Sequence, residues 1–122
     1  MSEEKKDVVI DYVSRAVFAE ARGESNKGKI AVAWVIKNRQ NISGKKISEI
    51  VIPGQFACWR KPIPKNEEDA WHECIQAAES VFYGDEKDPT NGATHFLSGN
   101  SNPSWVHKMT LTAKIGGHRF YG

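Results

Sequence analysis

VFAEARGESNKGKIAVAWVIKNR, residues 17–39, holds the end of one helix, the start of a second, and an acid in an unexpected place. Stepping back from Glu20 by helical intervals meets Val17, Ala16, Val13 and Val9, the i−3, i−4, i−7 and i−11 neighbours that form one apolar stripe. The opposite face reads as Asp11, Ser14, Arg15 and Arg22. A glutamate thus closes a stripe that otherwise faces a core.

Outward from this stretch the elements follow in order. A first helix is expected from Asp7, as N-cap, to Arg22, with Gly23 as the stop. ESNKGK (24–29) reads as a polar break. Ile30 to Ile36 is apolar on every face, which predicts a surrounded, central helix continuing through Lys37, Asn38 and Arg39. Residues 41–54 read as a loop with a helical turn around Ile47 to Val51, and QFACWRKPIPK (55–65) as an ordered, aromatic surface loop. Asn66 is placed to cap a third long helix, with Glu67, Glu68 and Asp69 suiting its dipole, Gly84 ending it, and Trp71, Cys74, Ile75, Ala78, Val81 and Phe82 as its core face. Trp34 and Trp71 lie on apolar stripes and read as core.

The pattern changes after the turn DPTNG (88–92). Ala93 to Leu97 reads as a short strand and SGNSNPS (98–104) as a polar loop. Met109, Leu111, Ala113 and Ile115 alternate with polar residues. Gly116-Gly117 is then a two-residue hairpin turn, and His118 to Tyr121 the return strand. Helices followed by a small antiparallel sheet define an α+β class. With 122 residues the chain is expected to form one domain, 1–122.

Charge narrows the function. With 17 basic against 15 acidic residues the net charge is only +2, too balanced for a nucleic-acid binder that works by phosphate neutralisation. No apolar run approaches the roughly 18 residues of a membrane span, so no membrane insertion is expected. MSEEKKD has no apolar segment behind it and does not read as a secretory signal, so synthesis in the cytoplasm is expected. Cys58 and Cys74 lack CxxC spacing and read as two reduced thiols; a disulfide needs Cα atoms within about 7 Å.

A carboxyl group pressed against apolar neighbours loses hydration and holds its proton more tightly, the property a general acid needs to protonate a glycosidic oxygen. Glu20 has that setting; the plainer alternative is a frayed helix end paired with Arg22. Glu24 is one turn on, side by side with Glu20 rather than opposed across a bond, so a role capping or bracing the start of the second helix is expected. Asp85, Glu86 and Asp88 read as solvated turn residues. Sugar recognition needs flat apolar faces with amide or hydroxyl groups. Gln55, Phe56 and Trp59 offer that mix, as do Thr94, His95 and Phe96, with His118 and Tyr121 on the last strand. Each aromatic also fits a plain core role, and His95 and His118 also fit as satisfied structural histidines.

AEARGES, KGKIAVAWVIKNR, QFACW, DPTNGATHFL and TAKIGGHRFYG, in that order, resemble the SleB/CwlJ-type cell-wall hydrolase family over about residues 12–122. The resemblance implies a lysozyme-like α+β fold akin to lytic transglycosylases and carries the family's catalytic glutamate onto Glu20. It implies peptidoglycan glycan strands as partner, cleavage between N-acetylmuramic acid and N-acetylglucosamine, no cofactor and no metal, and a monomer. A transglycosylase outcome is expected, with hydrolysis as the rival. Without an export signal, the expected setting is a phage endolysin, made in the cytoplasm and acting on the wall after release. Two other classes compete with this reading. A zinc amidase would draw on His72, His95, His107, His118 and the cysteines, but no HExxH or Cys/His spacing is present. A non-catalytic peptidoglycan-binding module would use the same aromatics without turnover.

Overall fold

In the computed structural model, which describes residues 4–52 and 62–122, the chain runs through four helices and a three-stranded sheet. The first two helices meet at the opening stretch. Helix α1 spans Lys6–Ala21, and α2 spans Asn26–Ser43. Asp7 is not the cap of α1: Lys5 holds that position without a side-chain bond, and Asp7 sits in the first turn, where its charge suits the dipole. The expected break before α2 is mostly helix. Ser25 caps it, accepting from the Gly28 N–H at 3.2 Å, and Gly44 ends it at φ 71° with its N–H on the Gln40 carbonyl at 2.8 Å. Glycine at 28 answers a close approach, since a Cβ there would stand 2.8 Å from the Glu24 Cβ.

Helix α2 is surrounded as its composition predicts. Ala31, Val32, Ala33, Val35 and Ile36 are fully buried, with Val9, Val13, Ala16 and Val17 of α1 packed into the same core. Trp34 is half-buried at the edge, with Lys37 Nζ 5.0 Å from its ring centroid. Two polar residues lie deeper than expected. Ser14, read on the polar face of α1, is buried. Lys29 is 2% exposed, its ammonium held by the Glu24 carbonyl and by Glu73 at 3.1 Å.

Helix α3 is a single turn, Ile47–Ile50, whose first amides donate to the Glu4 carboxylate. Helix α4, Glu68–Phe82, comes after a 3-10 turn at Lys65–Glu67, so Glu67 rather than Asn66 occupies its N-cap. Cys74, Ala77, Ala78 and Val81 are its buried residues, while Trp71, Ile75 and Phe82 are half-buried. Phe18 meets Trp71 edge to face at 5.9 Å. Cys74 is a free thiol, and burial pushes its pKa up to about 12. Cys58 lies outside the described residues.

The sheet comprises β1 His95–Ser98, β2 Leu111–Ile115 and β3 His118–Tyr121, all antiparallel, with β3 in the middle. Strand β1 starts at His95, not Ala93, and β2 at Leu111, after a 3-10 turn at Ser104–Lys108. The two-residue hairpin at Gly116-Gly117 is in place, with Ile115 opposite His118 and Gly116 at φ 57°. The expected alternation in β2 fails at one point. A bulge between Leu111 and Ala113 slips the register, so Leu111 is 53% exposed while Ile115 is buried. Among the described residues no helix is long and apolar enough to cross a membrane.

Candidate active site

Glu20 occupies the last turn of α1, half-buried, directly above buried Ala16 and Val17 and next to buried Ala21. Immediately beyond it the chain forms a tight joint. The Glu24 N–H closes a turn on the Ala21 carbonyl at 2.9 Å, and the Glu24 carbonyl receives the buried Lys29 ammonium. The Glu24 side chain does not cap α2, as expected, but crosses to the sheet. Its Oε1 accepts the Gly117 N–H at 2.9 Å and lies 3.9 Å from His118 Nδ1. The hairpin turn has glycine where the carboxylate presses in: a Cβ at Gly116 would fall 2.2 Å from Glu24 Oε1. Arg22 turns the other way, to Glu67 at 3.3 Å and over the Phe18 ring at 5.5 Å.

A second joint holds the start of β1. The end of α2 reads Lys37-Asn38-Arg39, and each residue reaches a different backbone carbonyl. Lys37 Nζ donates to Val81 at 2.8 Å, Asn38 Nδ2 to Ala93 at 2.9 Å, and Arg39 Nε to Thr94 at 2.6 Å. Asp88, expected to be solvated, is the hub of the DPTNG turn. Its carboxylate accepts from the Thr90 N–H at 2.7 Å, the Thr90 hydroxyl at 2.6 Å, the Gly92 N–H at 2.9 Å and Asn38 Nδ2 at 3.0 Å. Burial disfavours its charge, but the bonds from Thr90, Asn38 and Gly92 outweigh that and hold its carboxyl below the usual range. It is a fixed anion, unsuited to giving up a proton.

The pleat of the sheet sorts the remaining aromatics onto two faces. Phe96, His118 and Phe120 cluster toward the core, with Phe96 5.4 Å from His118 and 6.2 Å from Phe120. On the other face His95 packs against Trp105 at 5.0 Å, and Trp105 meets Tyr121 edge to face at 5.6 Å. Arg119 steadies this face, donating to the Tyr121 hydroxyl at 3.1 Å and to the Ser101 carbonyl. Thr94 Oγ1 lies 3.0 Å from His95 Nδ1. Burial and the neighbouring Arg39 guanidinium lower the His95 pKa, so the imidazole stays neutral at physiological pH.

The expected sugar contacts therefore divide. Thr94 and His95 line a groove of about 450 Å³ with Arg39, Ile42, Lys45 and Ile50, a groove whose walls do not include Glu20. Tyr121 is buried beneath Trp105, and Phe96 and His118 belong to the opposite, core-facing side. Gln55, Phe56 and Trp59 lie outside the described residues. Trp105 and Arg39 are the additions that sequence reasoning missed. A tryptophan isolated in a polar stretch between two strands was the available signal for the first, and Arg39 had none beyond ending α2. Among the described residues no cluster of His, Cys, Asp and Glu side chains is disposed to hold a metal ion.

Residues 23–121 match the cell wall hydrolase family, and the chain belongs to that family. The match starts just after the α1 turn that carries Glu20. Among individual proteins, the chain is 30% identical over 123 residues to the spore cortex-lytic enzyme of Halalkalibacterium halodurans, covering 91% of this chain and 34% of that enzyme. The chain thus spans about a third of the length of that relative. Its fold is that of the SleB catalytic domains. The catalytic domain of the Bacillus cereus SleB protein superposes with a TM-score of 0.74 at 25% identity, over 100% of this chain and 95% of that one. The catalytic domain of the germination-specific lytic transglycosylase SleB from Bacillus anthracis gives 0.68 at 23% identity, with both chains fully covered.

Proposed function

We propose that this domain degrades peptidoglycan by cleaving the β-1,4 bond between N-acetylmuramic acid and N-acetylglucosamine, as a lytic transglycosylase with Glu20 as its single acid and base. Peptidoglycan lies outside the plasma membrane, so that is where the domain acts. The reading is supported by family membership and by the activity named for the SleB relative. The observation that carries Glu20 is its position: a half-buried glutamate ends the core stripe of α1, next to the α1–α2 turn from which Glu24 reaches the hairpin. The two other acids of the motifs have different work. Glu24 is spent on the Gly117 N–H and Asp88 on the DPTNG turn.

One group suffices for the chemistry. Protonated Glu20 donates to the bridging oxygen as the C1–O bond breaks and positive charge develops on the muramic ring. The carboxylate then takes the proton from the C6 hydroxyl of the same residue, whose oxygen bonds to C1. The product is a 1,6-anhydro end, no water is consumed, and Glu20 returns protonated. Thr94, His95 and Trp105 supply a flat face and polar groups for sugar rings further along the glycan strand, because the groove of Thr94 and His95 does not reach Glu20.

The test is digestion of purified sacculi with the wild type and Glu20→Gln, read by mass spectrometry. The wild type should release anhydro ends, lighter by one water than reducing ends. The variant should retain binding and lose activity by several hundredfold, within the 10²- to 10⁴-fold contribution of general acid catalysis. Residual activity above about a tenth of wild type overturns Glu20 as the acid. Reducing ends from the wild type would instead mean hydrolysis by the same residue.

A further inference from the structure

We infer that Glu24 is a positioning residue for the reaction. By clamping the Gly116-Gly117 turn to the chain just after α1, it sets where Glu20 stands relative to the sheet. The inference rests on the reading of Glu20 as the acid.

Four observations converge on the clamp. Glu24 comes four residues after Glu20, and the Glu24 N–H on the Ala21 carbonyl at 2.9 Å closes the backbone between them into a turn. The carboxylate accepts the Gly117 N–H at 2.9 Å, joining residues 93 apart in sequence. Glycines flank it on both sides, where a Cβ at Gly28 would stand 2.8 Å from its Cβ and one at Gly116 2.2 Å from its Oε1, so a side chain at either position would crowd the carboxylate's present path. Behind it, the Lys29 ammonium fixes its carbonyl from within the core. The α1 end and the α2 start are thereby registered against β2 and β3 through one side chain.

This matters for rate more than for binding. The sheet face that takes the sugars, His95 with Trp105, is held independently by Asn38 and Arg39 at the start of β1. Releasing Glu24 leaves that face intact but frees the end of α1 that carries the acid to shift against the sheet. A misplacement of about 1 Å is enough to cost on the order of 10²-fold in a positioned proton transfer.

The experiment measures kcat and KM on solubilised glycan strands for Glu24→Ala, Glu24→Gln and Gly116→Ala, each checked for folding by circular dichroism. E24A should lower kcat on the order of 10²-fold with KM nearly unchanged. E24Q should recover most of that loss, because its amide oxygen still accepts from Gly117. G116A, which pushes the turn off an untouched Glu24, should reproduce the kcat defect and keeps the clamp testable if E24A does not fold. In a Glu20→Gln background E24A should have no further effect, since the group it positions is gone. Wild-type kcat in E24A, E24Q as slow as E24A, or an equal loss in the Glu20→Gln background would each overturn the clamp. Full activity of Glu20→Gln alone overturns the acid instead, so the two failures are told apart.

Discussion

Replacing Asp88 by alanine tests the polar joint beneath β1 most directly. The side chain receives four hydrogen bonds, three of them at least partly shielded from water: those from the Thr90 N–H, the Thr90 hydroxyl and Asn38 Nδ2. The bond from Gly92 is exposed and can be replaced by solvent. Thr90 is fully buried, so its orphaned N–H has no solvent to turn to. At about 1 kcal/mol for each shielded bond, the loss should be about 3 kcal/mol. For a domain of this size that lowers Tm by roughly 10 °C. Urea unfolding followed by circular dichroism at pH 7 gives the difference directly. The pH dependence has a definite sign. The Asp88 carboxyl titrates below its ordinary value in the fold, so the unfolded chain binds the proton first as pH falls. The stability Asp88 contributes is therefore complete above the unfolded pKa near 4 and disappears as pH drops through the lower, folded value. The gap between wild type and Asp88→Asn should accordingly narrow only under acid conditions below about pH 4. A D88A loss under about 0.5 kcal/mol, the scatter of ordinary surface substitutions, would refute the hub.

The core yields two further outcomes. Phe120, fully buried in the middle strand, should cost about 3–5 kcal/mol when replaced by alanine, measured by denaturant unfolding; a loss below about 1 kcal/mol would mean the sheet does not seal the helical layer. In a Cys58→Ser background, Cys74 should resist thiol reagents at neutral pH until the protein is unfolded, because its pKa is pushed up to about 12 and its side chain is buried. Rapid labelling of the native form would contradict that.

The parts legible in the sequence were those governed by local periodicity. The stripe of α1, the all-round apolar run of α2 and the Gly116-Gly117 turn each arise from spacing alone, and each is in place. What escaped depends on specific contacts and irregularities that periodicity does not carry, some of them local and some between distant residues. Ser25 and Gly28 make helix out of an apparent break, one through a cap bond and the other through contact with Glu24. The bulge at Thr112 sends Leu111 outward, and a period-2 pattern carries no mark of an inserted residue. Asp88 looks solvated in the sequence because three acids crowd one turn; only Asn38, 50 positions earlier, reveals that it faces inward. Trp105 sits in a 3-10 turn with no periodicity to place it.

These misses share a cause, and it bears on how the family's motifs work. AEARGES and GGHRFYG are far apart in sequence yet meet through Glu24 and Gly117. VIKNR and DPTNGAT meet through Asn38 with Asp88 and Ala93, and through Arg39 with Thr94. Polar motif residues that resemble catalytic groups are thus largely joints between the helical layer and a small sheet. Such a sheet buries few side chains of its own, with Phe120 and Ile115 supplying most of its anchorage in the core. A three-stranded sheet with so little apolar purchase needs polar ties to keep a fixed position. The proposed reaction, with its acid on the helical side and sugar rings on the sheet side, would then depend on those ties as much as on the acid itself.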